Sequence, residues 1–307
     1  MIEQRPVVLI TGAGSGLGLE SALHLAAHGF RVYGSVLTEE EGSGLCSEAR
    51  RRNTQVNVVR LDVTSEDQIR AVVHALLEET GRLDAVVHFA GMGLRGFFED
   101  LSLDEIRQVY EVNVFGIMAL TQAVLPQMRR QRSGRIVIAS SAGGRMGTFT
   151  VSGYASTKFA LEGFGESFAQ EAALFGIHVS LLEPGLIQTP HFTVNRNQAR
   201  RATNPESVYH PWFVRHEQLV DKVLARRHFS PADVAAVVYK ILTVKRPRLR
   251  YIVGTNAKIV LNLRRYIPGE LFERIYWGII RRILARASSP VKKIESDLPG
   301  LNPRSSE

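Results

Sequence analysis

The chain has 307 residues, 45% of them hydrophobic and 22% charged, a balance that buries a sizeable core and fits one large α/β domain or two small ones. Its single cysteine, Cys46, excludes an intrachain disulfide or a cysteine metal cluster and suits a reducing, cytoplasmic compartment. The net charge of +8 is uneven, with seven Lys/Arg against three acids in residues 191–228 and nine against two in residues 258–293; a basic tail on a near-neutral body argues against a nucleic-acid binder and for a membrane surface or a partner.

In chain order, short apolar runs alternate with helical patterns. Strands are predicted at 6–11, 30–36, 56–63, 83–90, 134–141 and 177–184, with helices at 16–28, 66–80, 103–130 and 153–175. A helix at 231–243 and a strand at 249–254 then close the sheet. Near-continuous apolar strands between helices predict a Rossmann-like, doubly wound parallel sheet of about seven strands, helices on both faces, with ligands beyond the carboxyl ends of the strands. The first strand begins at Pro6, so no signal peptide is expected, and no run of about 18 apolar residues offers a membrane-spanning helix. The Ser/Pro/Lys-rich end, 288–307, is expected to be disordered.

The loop "TGAGSGLG" (11–18) joins the first strand to the first helix. Gly12, Gly16 and Gly18 let the backbone turn tightly and approach a ligand, and Ser15 and Leu17 lie between them. The helix start beyond offers free N–H groups to a pyrophosphate. The spacing, Gly-x3-Gly-x-Gly, is a variant of the usual dinucleotide fingerprint.

Five further motifs follow in order: "LDV" (61–63), "HFAG" (88–91), "NVFG" with Asn113, "SS…YASTK" with Ser140, Ser141, Tyr154 and Lys158, and "PGLIQT" (184–189). Together with the glycine loop they resemble the short-chain dehydrogenase/reductase family over residues 5–255. The resemblance implies a dinucleotide bound along Gly12, Ser15, Gly16, Leu17, Gly18, Leu37, Asp62, Val63, Ala90, Gly91, Tyr154, Lys158, Pro184, Gly185, Ile187 and Thr189, with Asp62 toward the adenine. His88 and Phe89 replace the family's paired asparagines. His88 is expected beneath the cofactor as a satisfied strand residue. The nine histidines are scattered, without metal-ligand spacing, so no metal is expected.

Tyr154 and Lys158, four apart on a helix, face the same way. A neighbouring ammonium is expected to lower the tyrosine pKa and make the phenol a proton donor and acceptor for an alcohol/carbonyl pair. By resemblance, Lys158 also holds the nicotinamide ribose, Ser141 rather than Ser140 polarises the substrate oxygen, and Asn113 anchors a proton relay. Singly, each has a structural explanation, such as surface decoration for the Tyr/Lys pair or a buried helix bend for Asn113. Their joint occurrence behind a nucleotide loop is what points to an oxidoreductase.

At the end of the second strand, where NAD and NADP are told apart, Leu37 and Thr38 carry neither sign of charge. With no cation aimed at a phosphate and with Glu39 and Glu40 nearby, NAD is favoured over NADP. Residues 190–230 are expected to form a substrate lid, with Phe192, Tyr209, Trp212 and Phe213 lining an apolar pocket. Met92, Leu94, Phe97 and Phe98 and the stretch 143–149 form further walls. No arginine is clearly aimed at the centre to bind a carboxylate; Arg145 and Arg196 are the candidates. The runs "GFRVYGSVLTEEE" and "RPRLRYIVGTNAK" resemble the retinol and 17β-hydroxysteroid dehydrogenase branch, implying an alcohol or carbonyl on a bulky hydrophobic skeleton. A 3-oxoacyl or 3-hydroxyacid reductase of the same family and a redox-inactive dinucleotide sensor are the alternatives. Residues 256–287 are a C-terminal extension in which 269–286 form a basic amphipathic helix. Its apolar stripes, Leu271, Ile275, Ile279, Ile283 and Phe272, Tyr276, Ile280, Leu284, face either protein or a membrane surface. By resemblance, helix 153–175 pairs subunits into a homodimer or homotetramer.

Overall fold

The computed structural model describes residues 5–187, 196–225 and 229–286. Thr189, His191, Phe192, His228 and the 288–307 tail lie outside the described residues. The apolar runs form β1 (Val7–Thr11), β2 (Arg31–Val36), β3 (Val56–Arg60), β4 (Ala85–His88), β5 (Gly134–Ala139), β6 (Ile177–Pro184) and β7 (Arg250–Val253). They make one sheet in the order β3-β2-β1-β4-β5-β6-β7, and every pairing is parallel.

Successive side chains of a strand point to opposite faces, and both faces here are apolar. Val7 and Leu9 of β1 join one core, while Val8 and Ile10 join the other. The first core is completed by α3 (Glu66–Thr80), α5 (Gly116–Gln131) and α6 (Ser152–Ala173). The second is completed by α1 (Gly16–Ala27), α2 (Glu39–Arg51) and α8 (Pro231–Thr243). The strand order reverses between β1 and β4, and the crevice that this leaves at their carboxyl ends is where a ligand fits.

Helix α2 was not anticipated, because Gly42, Gly44 and Ser47 obscure its periodicity. Its start signal is nevertheless present: Thr38 caps it, accepting from the Glu41 amide at 3.3 Å, and Glu39, Glu40 and Glu41 fill its first turn. The predicted 103–130 helix is three pieces: α4 (Leu103–Tyr110), a wide π-turn (Glu111–Phe115) and α5. Contrary to expectation, the run Leu103–Gln131 is long and apolar enough to cross a membrane. Here Ile117, Leu120, Val124 and Met128 of α5 are buried against the sheet, so it serves as a core element.

The described part of 190–230 is a folded subcore rather than a loose insertion. Ala199, Ala202 and Phe213, the last on α7 (His210–Ala225), bury with Leu94, Leu101 and Val109. Arg95 and Glu217, both buried, form an ion pair at 2.7 Å. Burial opposes ionisation of Glu217, but His216, Arg95 and Gln198 outweigh it and hold the carboxyl down at about 2.

Among the described residues, two helices follow β7: α9 (Thr255–Tyr266) and α10 (Gly269–Arg286). The two α10 stripes separate. Phe272 is buried and Tyr276 and Ile280 are half-buried, whereas Leu271, Ile275 and Ile279 are 48%, 49% and 49% exposed. The Tyr276 hydroxyl donates to Thr148 Oγ1 at 3.0 Å, which fixes α10 beside the loop that follows Ser141.

Candidate active site

The glycine loop is shaped by steric necessity. Gly12 has φ +66°, and a Cβ there would lie 2.8 Å from the Ala90 nitrogen. A Cβ on Gly18 would lie 2.1 Å from the Gly12 carbonyl oxygen. Backbone therefore packs on backbone, and a cleft of about 890 Å³ opens above it. Ser15 precedes α1 with an extended backbone and makes no side-chain cap, so the helix start is not covered by its own residue.

Gly12, Ser15, Gly16, Leu17, Gly18, Leu37, Asp62, Val63, Ala90, Gly91, Ser141, Tyr154, Lys158, Pro184, Gly185 and Ile187 all line this cleft. Asp62 Oδ1 accepts from the amide and hydroxyl of Thr64, at 2.9 and 2.7 Å, which fixes its carboxylate at the β3 end. Where the paired asparagines are absent, the backbone after β4 is tied to β1 by Thr11, whose Oγ1 accepts from the amides of Phe89 (3.2 Å) and Ala90 (3.0 Å). His88 does not face the cleft. It is buried, hydrogen-bonded to Thr121 of α5 at 3.2 Å, and burial pushes it down to about 3, so it is neutral.

Asn113 is fully buried behind the cleft floor, in the π-turn. Its Oδ1 accepts from the Met92 amide at 2.8 Å. Its Nδ2 donates to the Met92 carbonyl at 2.9 Å and to Thr157 Oγ1 at 3.2 Å. The wide turn places one side chain between the β4 loop and α6, the element that carries Tyr154.

Tyr154 and Lys158 lie side by side on α6, with Lys158 Nζ 5.6 Å from the Tyr154 ring centroid. The ammonium donates to the Ala139 carbonyl at 2.8 Å, at the end of β5. Ser141 Oγ accepts from the Gly143 amide at 3.0 Å, and its hydroxyl also bonds the Tyr154 side chain. Ser140 Oγ is buried and has no partner among the described residues. Of the two serines, only Ser141 meets the tyrosine.

One electrostatic expectation is overturned. Burial pushes the Tyr154 phenol up to about 12, and the Ser141 hydrogen bond offsets this only in part. Burial also lowers Lys158 to about 8. The lysine cation is spent on a carbonyl rather than on the phenol, so desolvation wins.

Several predicted walls are elsewhere. Phe213 is buried in the subcore with Leu94 and Leu101, and Tyr209 stacks on Phe97 at 4.8 Å with Phe149 at the edge of Phe97. Arg145 pairs with Glu183 at 3.2 Å, and Arg196 pairs with Glu217 and Asp221, so neither guanidinium is aimed at the cleft. Leu94 is buried in the subcore and Phe98 is exposed, leaving Met92 as the cleft-lining member of that wall. Reading the sequence alone missed Glu41 and Asn197, which do line the cleft. Glu39 and Glu40, which would repel a phosphate if they pointed inward, do not line it.

The sequence of residues 6–200 matches the short chain dehydrogenase family. This chain belongs to that family. The dehydrogenase is 33% identical over 280 residues to a 3-ketodihydrosphingosine reductase of Bacteroides thetaiotaomicron, covering 90% of this chain and 99% of the relative. It is 33% identical over 286 residues to retinol dehydrogenase 8 of Bos taurus (89% and 90% covered). It is 34% identical over 271 residues to human 17-beta-hydroxysteroid dehydrogenase type 1 (85% and 81%). Among solved structures, a short-chain dehydrogenase from Streptomyces avermitilis superposes with a TM-score of 0.74 at 31% identity, covering 91% of this chain and 98% of the other. Actinorhodin polyketide ketoreductase with NADPH gives 0.70 at 28% (81% and 95%). The dehydrogenase is an NAD(P)-dependent oxidoreductase of the alcohol dehydrogenase/ketone reductase type, in the retinol and hydroxysteroid dehydrogenase branch.

Proposed function

We propose that the enzyme interconverts an alcohol and a carbonyl on a hydrophobic, steroid- or retinoid-like skeleton, with Tyr154 as acid and base. The observation that carries this is the meeting of Tyr154, Ser141 and Lys158 at one wall of the cleft whose other wall is the glycine loop. The glycine cradle, which any Cβ would fill, fits a dinucleotide pyrophosphate. When bound, the nicotinamide supplies or takes the hydride.

The chain's own residues handle the proton. Tyr154 Oη is protonated at neutral pH and gives its proton to the carbonyl oxygen as reduction proceeds. Ser141 donates to the same oxygen and orients it. Lys158, anchored on Ala139, and Asn113, buried behind the cleft, are assigned to the relay by which the proton is replaced. In oxidation Tyr154 takes the proton from the alcohol, a harder task for a phenol held high.

A neutral substrate suits the site better than the 3-hydroxyacid alternative, because Arg145 and Arg196 are already paired. Retention of both tyrosine and lysine argues against a redox-inactive sensor. The named substrates of the relatives, a long-chain sphingoid ketone, a retinoid and a steroid, share a bulky apolar body. Absorbance at the nicotinamide band, followed with NAD(H) and NADP(H) against steroid, retinoid, sphingoid-ketone and 3-oxoacid panels, is the test. Turnover of the apolar ketones or alcohols is expected, and activity confined to the 3-oxoacids would reject the assignment.

The catalytic domain is assigned to residues 5–255, with 190–230 over the substrate, and 256–287 to an extension. The exposed α10 stripe with Trp277, flanked by Arg274, Arg281 and Arg282, is assigned to peripheral contact with an anionic membrane, and the outer face of α6 with exposed Phe159 to pairing between copies. Sedimentation with anionic and neutral vesicles checks this: binding to the anionic set, lost in Ile275→Asp/Ile279→Asp, is expected. A stripe covered instead by a second copy would leave the protein in the supernatant as an oligomer that the same pair of substitutions dissociates.

A further inference from the structure

The adenosine end of the cleft carries an acid that does not come from the strand where selectivity is usually written. The geometry points to Glu41, in the first turn of α2, as the residue that makes this enzyme prefer NAD(H) to NADP(H). The inference rests on the dinucleotide reading of the cleft.

Glu41 lines the cleft together with Gly14, Ser35, Val36 and Leu37. Its side chain folds back over the end of β2, where Oε2 accepts from the Leu37 amide at 2.9 Å. It also lies against the glycine loop. A Cβ on Gly14 would meet Glu41 Cβ at 2.7 Å and Cδ at 2.9 Å, so the missing side chain at 14 is what makes room for it. The carboxylate is therefore held from two sides, by the β2 end and by the loop. A carboxylate has about four acceptor positions, and the Leu37 amide uses one. The remainder suit ribose hydroxyl donors. A 2′-phosphate brought to the same place would meet a fixed negative charge.

Among the described residues, no cation that lines the adenosine end offsets that charge. Among the described residues lining the cleft, Lys158 is the only cation, and it is bonded to Ala139 beside Tyr154, away from the adenosine end. Arg60, at the end of β3, lies off the cleft lining, and its positive charge acts on Glu40. Ser15 is uncharged and Leu37 has only its exposed apolar side chain to offer. A charge placed by helix and loop packing thus takes the role that the uncharged β2 end leaves open.

Calorimetric titration of the full-length protein with 5′-AMP, adenosine 2′,5′-bisphosphate, NADH and NADPH tests this without turnover. The wild type is expected to bind the 2′-hydroxyl member of each pair more tightly. Glu41→Gln keeps an acceptor for the Leu37 amide and hence the local fold, and it is expected to narrow both ratios by roughly tenfold, chiefly by improving the phosphorylated ligands. Raising salt is expected to narrow the wild-type ratio but not that of the variant. A wild type that binds both members equally, or ratios unchanged in both Glu41→Gln and Glu41→Ala, overturns the inference alone. Failure of all four ligands to bind the wild type sinks the dinucleotide reading with it.

Discussion

Tyr154→Phe is expected to bind NADH as tightly as the wild type, within about threefold, and to lose roughly 10²–10⁴-fold in turnover. The phenyl ring keeps its place on α6, so the wall of the cleft and the Lys158 contact survive. What disappears is one oxygen: the proton donor in reduction and the partner of Ser141. Ser141 keeps its bond to the Gly143 amide, so the fold should hold. The pH profile carries a second signature. The phenol stays protonated far into the alkaline range, so of the Tyr154/Lys158 pair the first to titrate as pH rises is Lys158, near 8. Wild-type reduction is therefore expected to be flat through neutrality and to fall as that ammonium is neutralised, whereas oxidation gains as the phenol begins to ionise. Steady-state rates in both directions over pH 6 to about 10, with direct NADH titration of the variant, are the measurement. Residual activity within tenfold of the wild type would remove Tyr154 from the mechanism.

Gly18→Ala is expected to abolish measurable dinucleotide binding. The added methyl would stand 2.1 Å from the Gly12 carbonyl oxygen and 2.7 Å from its carbon, and both are backbone atoms with no rotamer to escape into. The loop must move, and Gly12 is itself braced against Ala90. Overpacking of this kind costs about 1–3 kcal/mol in stability, a modest fall in Tm beside the loss of the cradle. Gly44→Ala, on the open face of α2 with nothing within 4 Å of the new methyl, is the matched control. It is expected to leave binding unchanged and to stabilise by about 0.5–1 kcal/mol through helix propensity. Calorimetry with NADH and thermal unfolding of both variants distinguish a local steric effect from a general one. Retained binding in Gly18→Ala would mean that the loop does not cradle the dinucleotide.

Much of the site was legible because its requirements are local. A strand, a glycine turn and a helix start are contiguous in sequence, and so is a Tyr/Lys pair one turn apart. Fifteen of the sixteen residues expected to hold a dinucleotide, and Ser141, line one cleft. What escaped were properties that depend on partners distant in the chain. The sign of the Tyr154 shift depends on how dry the wall is and on Lys158 finding Ala139, nineteen residues away. Glu41 was overlooked because α2 has a weak apolar pattern and because its target, Gly14, is on another element. The aromatic residues of 190–230 suit a pocket by composition, yet Phe213 is buried with Leu94 and Leu101.

By itself the sequence determined the alternating strands, the parallel sheet, the glycine turn and the side-by-side placing of Tyr154 and Lys158, since hydrophobic period and backbone freedom act over a few residues. The tertiary structure alone decided which charges meet: Lys158 with a carbonyl, Arg95 with Glu217, Glu41 with the end of β2, and which α10 stripe faces outward. Burial and pairing belong to the packed chain, because a dielectric environment is made by everything around a group and by no single neighbour in sequence.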